Sequence, residues 1–109
     1  MRLRSRTDAN HTAILDVFRA AGWWVLDLHR QGGGCADALV VDPARYSLRI
    51  ISQGRLPQLI RVNRTYMVEL KVPKTGRLNR KQQDFAARCP LPYRVIRTID
   101  EALALVGGR

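Results

Sequence analysis

Apolar and polar residues in the first third of the chain follow a helical pattern and then a strand-like one. Apolar residues recur at the spacing of one helix face until Gly22, and Asp8 or Asn10 can cap the start of this helix. The apolar positions of that face are Ile14, Val17, Phe18 and Ala21. Two short apolar runs, at 23–28 and 38–41, predict strands. The chain is therefore expected to open with a helix and two strands.

The second half of the chain predicts a central strand and two further helices. The apolar run at 66–72 is typical of a largely buried strand, and Pro73 and Gly76 mark a turn after it. Helices are expected at about 78–88 and 100–106, with a strand at 93–97 between them. The predicted fold class is α/β (mixed α+β), with a central mixed β-sheet flanked by helices.

Residues 44–64 have the least legible pattern. Segments 46–51 and 58–62 have strand-like composition and are separated by Gln53-Gly54-Arg55, which favours a hairpin inserted in the sheet. A chain of 109 residues has room for one hydrophobic core. We expect residues 1–7 to form a flexible basic arm and residues 8–109 a single domain, with the hairpin inserted at about 44–64.

The charge of the chain points to a polyanionic partner. The net charge is +10, and sixteen of the nineteen basic residues are arginine, whose planar guanidinium suits bidentate contact with phosphate. A GC-rich genome and a solvated surface would also produce many arginines. So large an excess on one small domain nevertheless favours nucleic acid. The hydrophobic content of 46% excludes wholesale disorder.

Other classes of protein are disfavoured by what the sequence lacks. Cys35 and Cys89 form neither a CxxC pair nor a Cys/His set, so no structural zinc is expected, although a disulfide between them stays open. No apolar run approaches the roughly twenty residues of a membrane span. The basic N-terminus lacks the apolar core of a signal peptide. We expect a cytoplasmic protein with no membrane partner.

The central strand contains one of the only two glutamates of the chain, Glu69 and Glu101. Side chains alternate along a strand, so Glu69 and Lys71 are expected on the same side. Desolvating a carboxylate and an ammonium together costs free energy. One interpretation is a simple ion pair on a half-exposed strand, with Asp37 as a strand-entry turn residue. The other is a site that uses these charges in chemistry.

Three motifs in order favour the second interpretation. They are Gly34-Cys35-Ala36-Asp37-Ala38-Leu39-Val40, Val68-Glu69-Leu70-Lys71, and Leu78-Asn79-Arg80-Lys81-Gln82-Gln83-Asp84-Phe85. The ordered set resembles the PD-(D/E)XK nuclease superfamily. Within it, the chain looks most like the small VRR-NUC and Holliday-junction-resolvase-like nucleases, including phage-type members. The resemblance covers residues 8–106 except the 44–64 insertion and implies a restriction-endonuclease-like αβββαβ core.

The resemblance implies a metal site. Asp37 and Glu69 would ligate a divalent cation together with the backbone carbonyl of Leu70. Oxygen ligands of this kind suit Mg²⁺ or Mn²⁺ better than zinc. Such a cation would polarise the scissile phosphate of a nucleic acid and lower the pKa of a bound water.

The resemblance also implies roles for three polar residues around that site. Lys71 would position or help to deprotonate the attacking water and offset charge in the transition state. Gln82 would orient that lysine or contact the phosphate, although Gln83 beside it leaves the register open by one residue. Asn10 matches a catalytic position on the first helix of phage-type members.

Two positions depart from the family pattern. Ala36 stands where the family has proline, which should alter the geometry of the strand entry rather than the chemistry. Many relatives also carry a first-helix glutamate that binds a second metal or a water. Asn10 and His11 occupy that neighbourhood here, and neither is a carboxylate. A one-metal site is therefore expected.

The function implied by the resemblance is a metal-dependent DNA endonuclease that cuts branched or structured DNA, such as a Holliday junction or a flap. It would act as a homodimer in the cytoplasm of a bacterial or phage-infected cell. The residues expected to contact the nucleic acid are Gly33, Gly34, Arg30, Lys74, Arg77 and Lys81. The alternative is a non-catalytic nucleic-acid-binding domain that retains the nuclease fold. A small basic RNA- or ribosome-associated protein is a third interpretation.

Overall fold

A computed structural model describes residues 6–43, 45–49, 54–62, 64–73 and 76–107. Within these ranges the chain forms three helices and six strands. The helices are α1 (Arg6–Ala20), α2 (Arg80–Arg88) and α3 (Ile99–Val106). The strands are β1 (Trp24–Asp27), β2 (Ala38–Val41), β3 (Arg45–Arg49), β4 (Gln58–Val62), β5 (Thr65–Leu70) and β6 (Tyr93–Ile96). The predicted order of helices and strands is confirmed.

The main sheet is mixed, as the sequence predicts. Its strand order is β1-β2-β5-β6. Strand β2 pairs antiparallel with both β1 and β5, whereas β6 pairs parallel with β5. Side chains of α1 and α3 enter the core on one face of this sheet. Gln82 and Phe85 of α2 contact residues of the opposite face. The sheet is therefore flanked by helices on both sides.

The expected hairpin forms, but not within the main sheet. Strands β3 and β4 pair antiparallel as a separate two-stranded sheet. Strand β2 pairs directly with β5, from Ala38 opposite Val68 to Val41 opposite Thr65. Because β2 and β5 are hydrogen-bonded to each other along their facing edges, the hairpin cannot lie between them in the main sheet.

Two predicted boundaries were wrong. Helix α1 begins at Arg6, so Asp8 and Asn10 are helical residues rather than caps, and residues 6 and 7 do not belong to an arm. Residues 1–5 lie outside the described part. Strand β5 ends at Leu70, so Lys71 follows the strand instead of lying in it. A helix start depends on weak local preferences, which tertiary context readily overrides.

The core lies between the main sheet and the two helices that cover its first face. Phe18, Ile14, Val40 and Val68 are its largest fully buried side chains. Trp23 joins them and packs edge-on against Phe18, with ring centroids 5.4 Å apart. Trp24 next to it is 56% exposed, so only one of the two adjacent tryptophans enters the core. Among the described residues, no helix has the length and apolar character needed to cross a bilayer.

One arginine connects the start of β5 to the end of α3. The guanidinium of Arg64 donates a hydrogen bond to Asp42 at 2.7 Å and lies 5.0 Å from the ring centre of Trp23. It also donates to the carbonyl oxygens of Leu105 and Val106, at 3.1 and 3.2 Å. These carbonyls belong to the last turn of α3, where the helix leaves them without an internal partner. Arg64 thus caps α3 and neutralises the buried Asp42 carboxylate at the same time.

Replacing Arg64 should therefore destabilise the fold. Arg64→Ala leaves Asp42, which is only 3% exposed, without its arginine partner, and we expect a loss of about 3 kcal/mol in the free energy of unfolding. Urea unfolding followed by circular dichroism measures the change. The matched control is Arg19→Ala, because Arg19 forms an exposed pair with Asp16 worth about 0.5 kcal/mol or less. Equal losses in the two variants would contradict the account of Arg64.

Candidate active site

The β2–β5 pairing brings the two predicted ligand carboxylates together at one end of the main sheet. Ala38 lies opposite Val68, so Asp37 and Glu69 are the next residues to meet when the register is extended by one position. The carboxylate of Asp37 accepts a hydrogen bond from the backbone N–H of Leu70 at 2.7 Å. The register makes the side chains of Asp37 and Glu69 cross-strand neighbours on one face of the sheet, and the negative charge of Asp37 acts on Glu69. The structure therefore brings Asp37 and Glu69 together, and their role as metal ligands stays a prediction.

Glu69 is almost completely buried and is contacted by three side chains. It is 2% exposed, and its Oε1 accepts a hydrogen bond from Gln82 Nε2 at 2.8 Å. The Tyr93 hydroxyl donates to Oε2 at 3.4 Å, and Lys71 Nζ lies 3.8 Å from Oε1. The carboxylate is thus held by α2, by β6 and by the residue that follows β5. No sequence motif marked Tyr93, because its place depends on the parallel register of β6 on β5.

The electrostatics of the site favour an added positive charge. Burial and the negative charge of Asp37 raise the pKa of Glu69 to about 7, although Lys71 acts in the opposite direction. Burial and then the charge of Glu69 raise the pKa of the Tyr93 hydroxyl well above its usual range. Burial, followed by Glu69 and Asp37, also raises the pKa of the Cys35 thiol. The anionic forms of Glu69, Tyr93 and Cys35 are therefore disfavoured by burial and by the charges around them.

The donor atoms fit a hard divalent cation. Among the described residues, no cluster of three or more His, Cys, Asp or Glu side chains has metal-binding geometry. The pair of carboxylates would therefore need the Leu70 carbonyl and water molecules to complete a coordination shell. Mg²⁺ commonly binds in this way, through one or two carboxylates and several waters. Asp37, Glu69 and Leu70 are the residues that would hold it.

Gln82 is the glutamine of the site, but its contacts differ from those expected. Its Oε1 accepts from the Asn79 backbone N–H at 2.9 Å, and the Asn79 side chain accepts from the Gln82 N–H at 2.9 Å. This reciprocal pair is a capping box at the start of α2. Its Nε2 donates to Glu69, so the side chain that Gln82 orients is the Glu69 carboxylate and not the Lys71 ammonium. Gln83 instead donates to the Leu78 carbonyl, so of the two adjacent glutamines it is Gln82 that contacts Glu69.

The glycine loop has a structural role that the sequence did not reveal. Gly34 has φ +81°, and a Cβ at this position would lie 2.4 Å from the carbonyl oxygen of Lys81. Only glycine therefore lets the loop pack against the first turn of α2. A Cβ on Gly33, by contrast, would meet no atom within 4 Å. The space around Gly33 is therefore free for the expected contact with a substrate, whereas Gly34 packs against α2.

A second close contact positions Lys71. A Cβ on Gly76 would lie 2.8 Å from the Cβ of Lys71, so the turn after β5 folds back directly onto this lysine. The guanidinium of Arg97 donates to the Gly76 carbonyl at 3.0 Å and holds the turn in place. Of the other basic residues expected to contact nucleic acid, Arg30, Arg77 and Lys81 are exposed, and Lys74 lies outside the described residues.

An open cleft of about 530 Å³ lies beside Asp37. It is lined by His11, Thr12, Leu15, Asp27, His29, Arg30, Asp37 and Leu70. Helix α1 contributes His11, Thr12 and Leu15 to this lining, and Asn10 is not among the lining residues. The Asn10 Nδ2 and His11 Nε2 atoms are buried without a hydrogen-bond partner among the described residues.

Asp27 and His29 form a pair at the edge of this cleft. Asp27 Oδ1 accepts from the His29 backbone N–H at 3.0 Å and lies 2.5 Å from His29 Nδ1. Burial raises the pKa of Asp27, but the two hydrogen bonds and the charge of His29, with a contribution from Arg19, outweigh this and bring the pKa below its usual value. No sequence motif marked this pair. The two histidines of the chain, His11 and His29, lack the spacing of a metal-binding motif, so His29 did not stand out.

Comparisons with known proteins identify no relative. No family model, no curated protein and no solved structure matches the chain.

The raised pKa of Glu69 predicts an unusual dependence of stability on pH. The pKa of Glu69 is about 7 in the folded protein, whereas the ordinary pKa of a glutamate in an unfolded chain is 4.5. The resulting stabilisation is fully present below pH 4.5 and is lost as the pH rises through 7. Urea unfolding in EDTA at several pH values should show this loss in the parent protein. Glu69→Gln should remove it, and the exposed Glu101→Gln should not. The same pH dependence in Glu69→Gln would exclude Glu69 as its source.

The contact between Gln82 and Glu69 predicts weaker metal binding when it is removed. Gln82→Ala frees the Glu69 carboxylate from α2, and we expect Mn²⁺ affinity to fall about 10- to 100-fold, as for other groups that orient a metal ligand. Isothermal titration calorimetry measures the affinity. Gln83→Ala is the matched control, because Gln83 is exposed on the same helix and contacts only a backbone carbonyl. The interpretation fails if both substitutions weaken binding equally.

Proposed function

We propose that this protein is a metal-dependent DNA endonuclease that hydrolyses phosphodiester bonds. The observation that carries the proposal is the position of Asp37 beside the buried Glu69 at the end of the main sheet. Two carboxylates in one buried position are unfavourable unless a proton or a cation separates their charges. A divalent cation, Mg²⁺ or Mn²⁺, would serve that purpose and fits the oxygen donors present. When bound, it would supply electrophilic activation of the phosphodiester.

The residues of the chain would then divide the remaining tasks. The Leu70 N–H fixes the Asp37 carboxylate, while Gln82 and Tyr93 fix Glu69, so both ligands are oriented before a substrate arrives. Lys71 remains partly exposed beside Glu69, at 3.8 Å. Its ammonium would orient the attacking water by hydrogen bonding and offset the negative charge that develops on the phosphate.

The charge of the chain supports nucleic acid as the substrate. The net charge is +10, and Arg77, Arg80 and Lys81 are exposed at the start of α2, next to the loop that contains Gly34. Arginine and lysine in such a position would neutralise phosphates on either side of the scissile bond. Helix α2 has no acidic residue in its first turn to oppose this.

The finer assignment rests on the resemblance of the ordered motifs. With the β3–β4 hairpin set apart, the elements α1, β1, β2, β5, α2 and β6 follow the αβββαβ order expected for the PD-(D/E)XK superfamily. The proposed substrate is therefore branched or structured DNA, such as a four-way junction or a flap, cut to leave a 5′-phosphate and a 3′-hydroxyl. We propose a homodimer in a bacterial or phage-infected cytoplasm, since two symmetrical cuts require two sites.

Cleavage of structured DNA by carboxylate variants tests this proposal. Purified parent protein should cut a labelled four-way junction or flap in Mg²⁺ or Mn²⁺. Asp37→Asn and Glu69→Gln should each lower the rate by at least about 100-fold, because each removes the negative charge of a proposed ligand. Asp16→Asn and Glu101→Gln are the matched controls, since both side chains are exposed and lie outside the site.

Three other outcomes would overturn the proposal in different ways. Unchanged cleavage by both site variants would show that the site is wrongly assigned. A parent protein that binds junctions but neither cuts them nor binds Mn²⁺ would favour the non-catalytic nucleic-acid-binding domain. Affinity indifferent to DNA branching, with no effect of Glu69→Gln, would favour an RNA-associated protein.

A further inference from the structure

We propose that His29, positioned by Asp27, protonates the leaving 3′-oxygen in the cleavage reaction, an inference that rests on the proposed endonuclease function. The histidine would be a catalytic residue, because its ring would touch the leaving atom. Asp27 would be a positioning residue that acts through the ring.

The two contacts between Asp27 and His29 fix the orientation of the imidazole. Asp27 is the last residue of β1, and its Oδ1 receives the His29 backbone N–H while facing Nδ1 of the same ring. A ring that donates Nδ1–H to a carboxylate has Nε2 as its remaining nitrogen. Although the His29 side chain is 58% exposed, it is thus held in one orientation, with Nε2 available to a ligand.

The backbone places this pair next to the proposed metal ligands. The Leu28 N–H donates to the Asp37 carbonyl at 2.7 Å, so the chain just before His29 is joined to the start of β2. His29, Asp37 and Leu70 then line the same open cleft. Its volume of about 530 Å³ is in the range that accommodates small ligands and is sufficient for a nucleotide.

His29 and Lys71 approach the site from different faces of the sheet. Leu70 belongs to the core that contains Ile14 and Leu15 of α1, and Leu15 and Leu70 also line the cleft of His29. Glu69 faces the other way, toward α2, and Lys71 lies beside it. An in-line displacement at phosphorus needs the attacking water and the leaving oxygen on opposite sides. The arrangement therefore suits Lys71 on the side of the water and His29 on the side of the leaving group.

The proposed step balances as follows. The oxygen of water forms a bond to phosphorus, and the bond between phosphorus and the 3′-oxygen breaks with its electron pair on that oxygen. The proton on Nε2 of the His29 imidazolium passes to the 3′-oxygen and produces the 3′-hydroxyl. The attacking water loses a proton to solvent, and His29 regains one from solvent. The charged and titratable groups that share the cleft with His29 are Asp27, Arg30, His11 and Asp37.

A substrate whose leaving group needs no proton separates this role from a structural one. The parent protein and His29→Gln are compared in Mg²⁺ on junctions with either oxygen or sulfur at the bridging 3′ position of the mapped cleavage site. A thiolate leaves without protonation, whereas an alkoxide does not. We expect His29→Gln to slow cleavage of the oxygen substrate by about 100-fold, in line with general acid catalysis, and to leave the sulfur substrate within about threefold of the parent.

Matched variants sharpen the comparison. Asp27→Asn should show the same selective loss at a smaller magnitude, whereas Asp16→Asn, which breaks another exposed pair on the surface, should affect neither substrate. Equal loss on both substrates in His29→Gln would overturn the proposal while leaving the endonuclease function intact. So would a selective loss in His11→Gln alone, which would assign the proton to the other imidazole of the cleft. No cleavage by the parent on either substrate would overturn the function and this inference together.

Discussion

The contact between Asp37 and Glu69 is the interaction on which the rest of the site depends. It arises because β2 and β5 pair directly. This pairing brings Asp37, the residue before β2, beside Glu69, the penultimate residue of β5. The neighbours of the pair stabilise its geometry but not its charge. The two carboxylates are held in place by hydrogen bonds from Leu70, Gln82 and Tyr93. Among the described residues, the ion pairs include one cation at this site, Lys71, whose Nζ lies 3.8 Å from Glu69 Oε1. The site is thus rigid and still favours added positive charge.

The fold supports this pair from both sides of the sheet. Helix α1 and the aromatic residues around Trp23 form the core on one face, and Arg64 connects that core to the end of α3. On the other face, α2 is fixed by its own capping box, whose Gln82 also binds Glu69. Gly34 lets the loop before Asp37 pack against the same helix turn. A local helix-capping device and the orientation of a candidate metal ligand therefore share one side chain.

The order of the elements was predictable from the sequence, because apolar periodicity survives without tertiary information. The placement of Asp37 beside Glu69 was expected only from the resemblance of the ordered motifs. The contacts of Gln82, Gly34 and Tyr93 were not, since each depends on how α2 or β6 docks on the sheet. The start of α1 was misplaced because the energetic difference between cap and helix is small at such positions. The hairpin was predicted as a unit, but its separation from the main sheet follows from the direct β2–β5 pairing, which no local pattern encodes.

The central claim is that these two carboxylates hold a divalent cation, and anomalous diffraction tests it most directly. Crystals of the protein grown with Mn²⁺ should show a manganese anomalous peak in contact with the carboxylates of Asp37 and Glu69 and with the Leu70 carbonyl. Crystals of Asp37→Asn grown in the same way should lack it. A parent crystal with no peak at this end of the sheet, or with manganese bound only among the histidines of the cleft, would contradict the account.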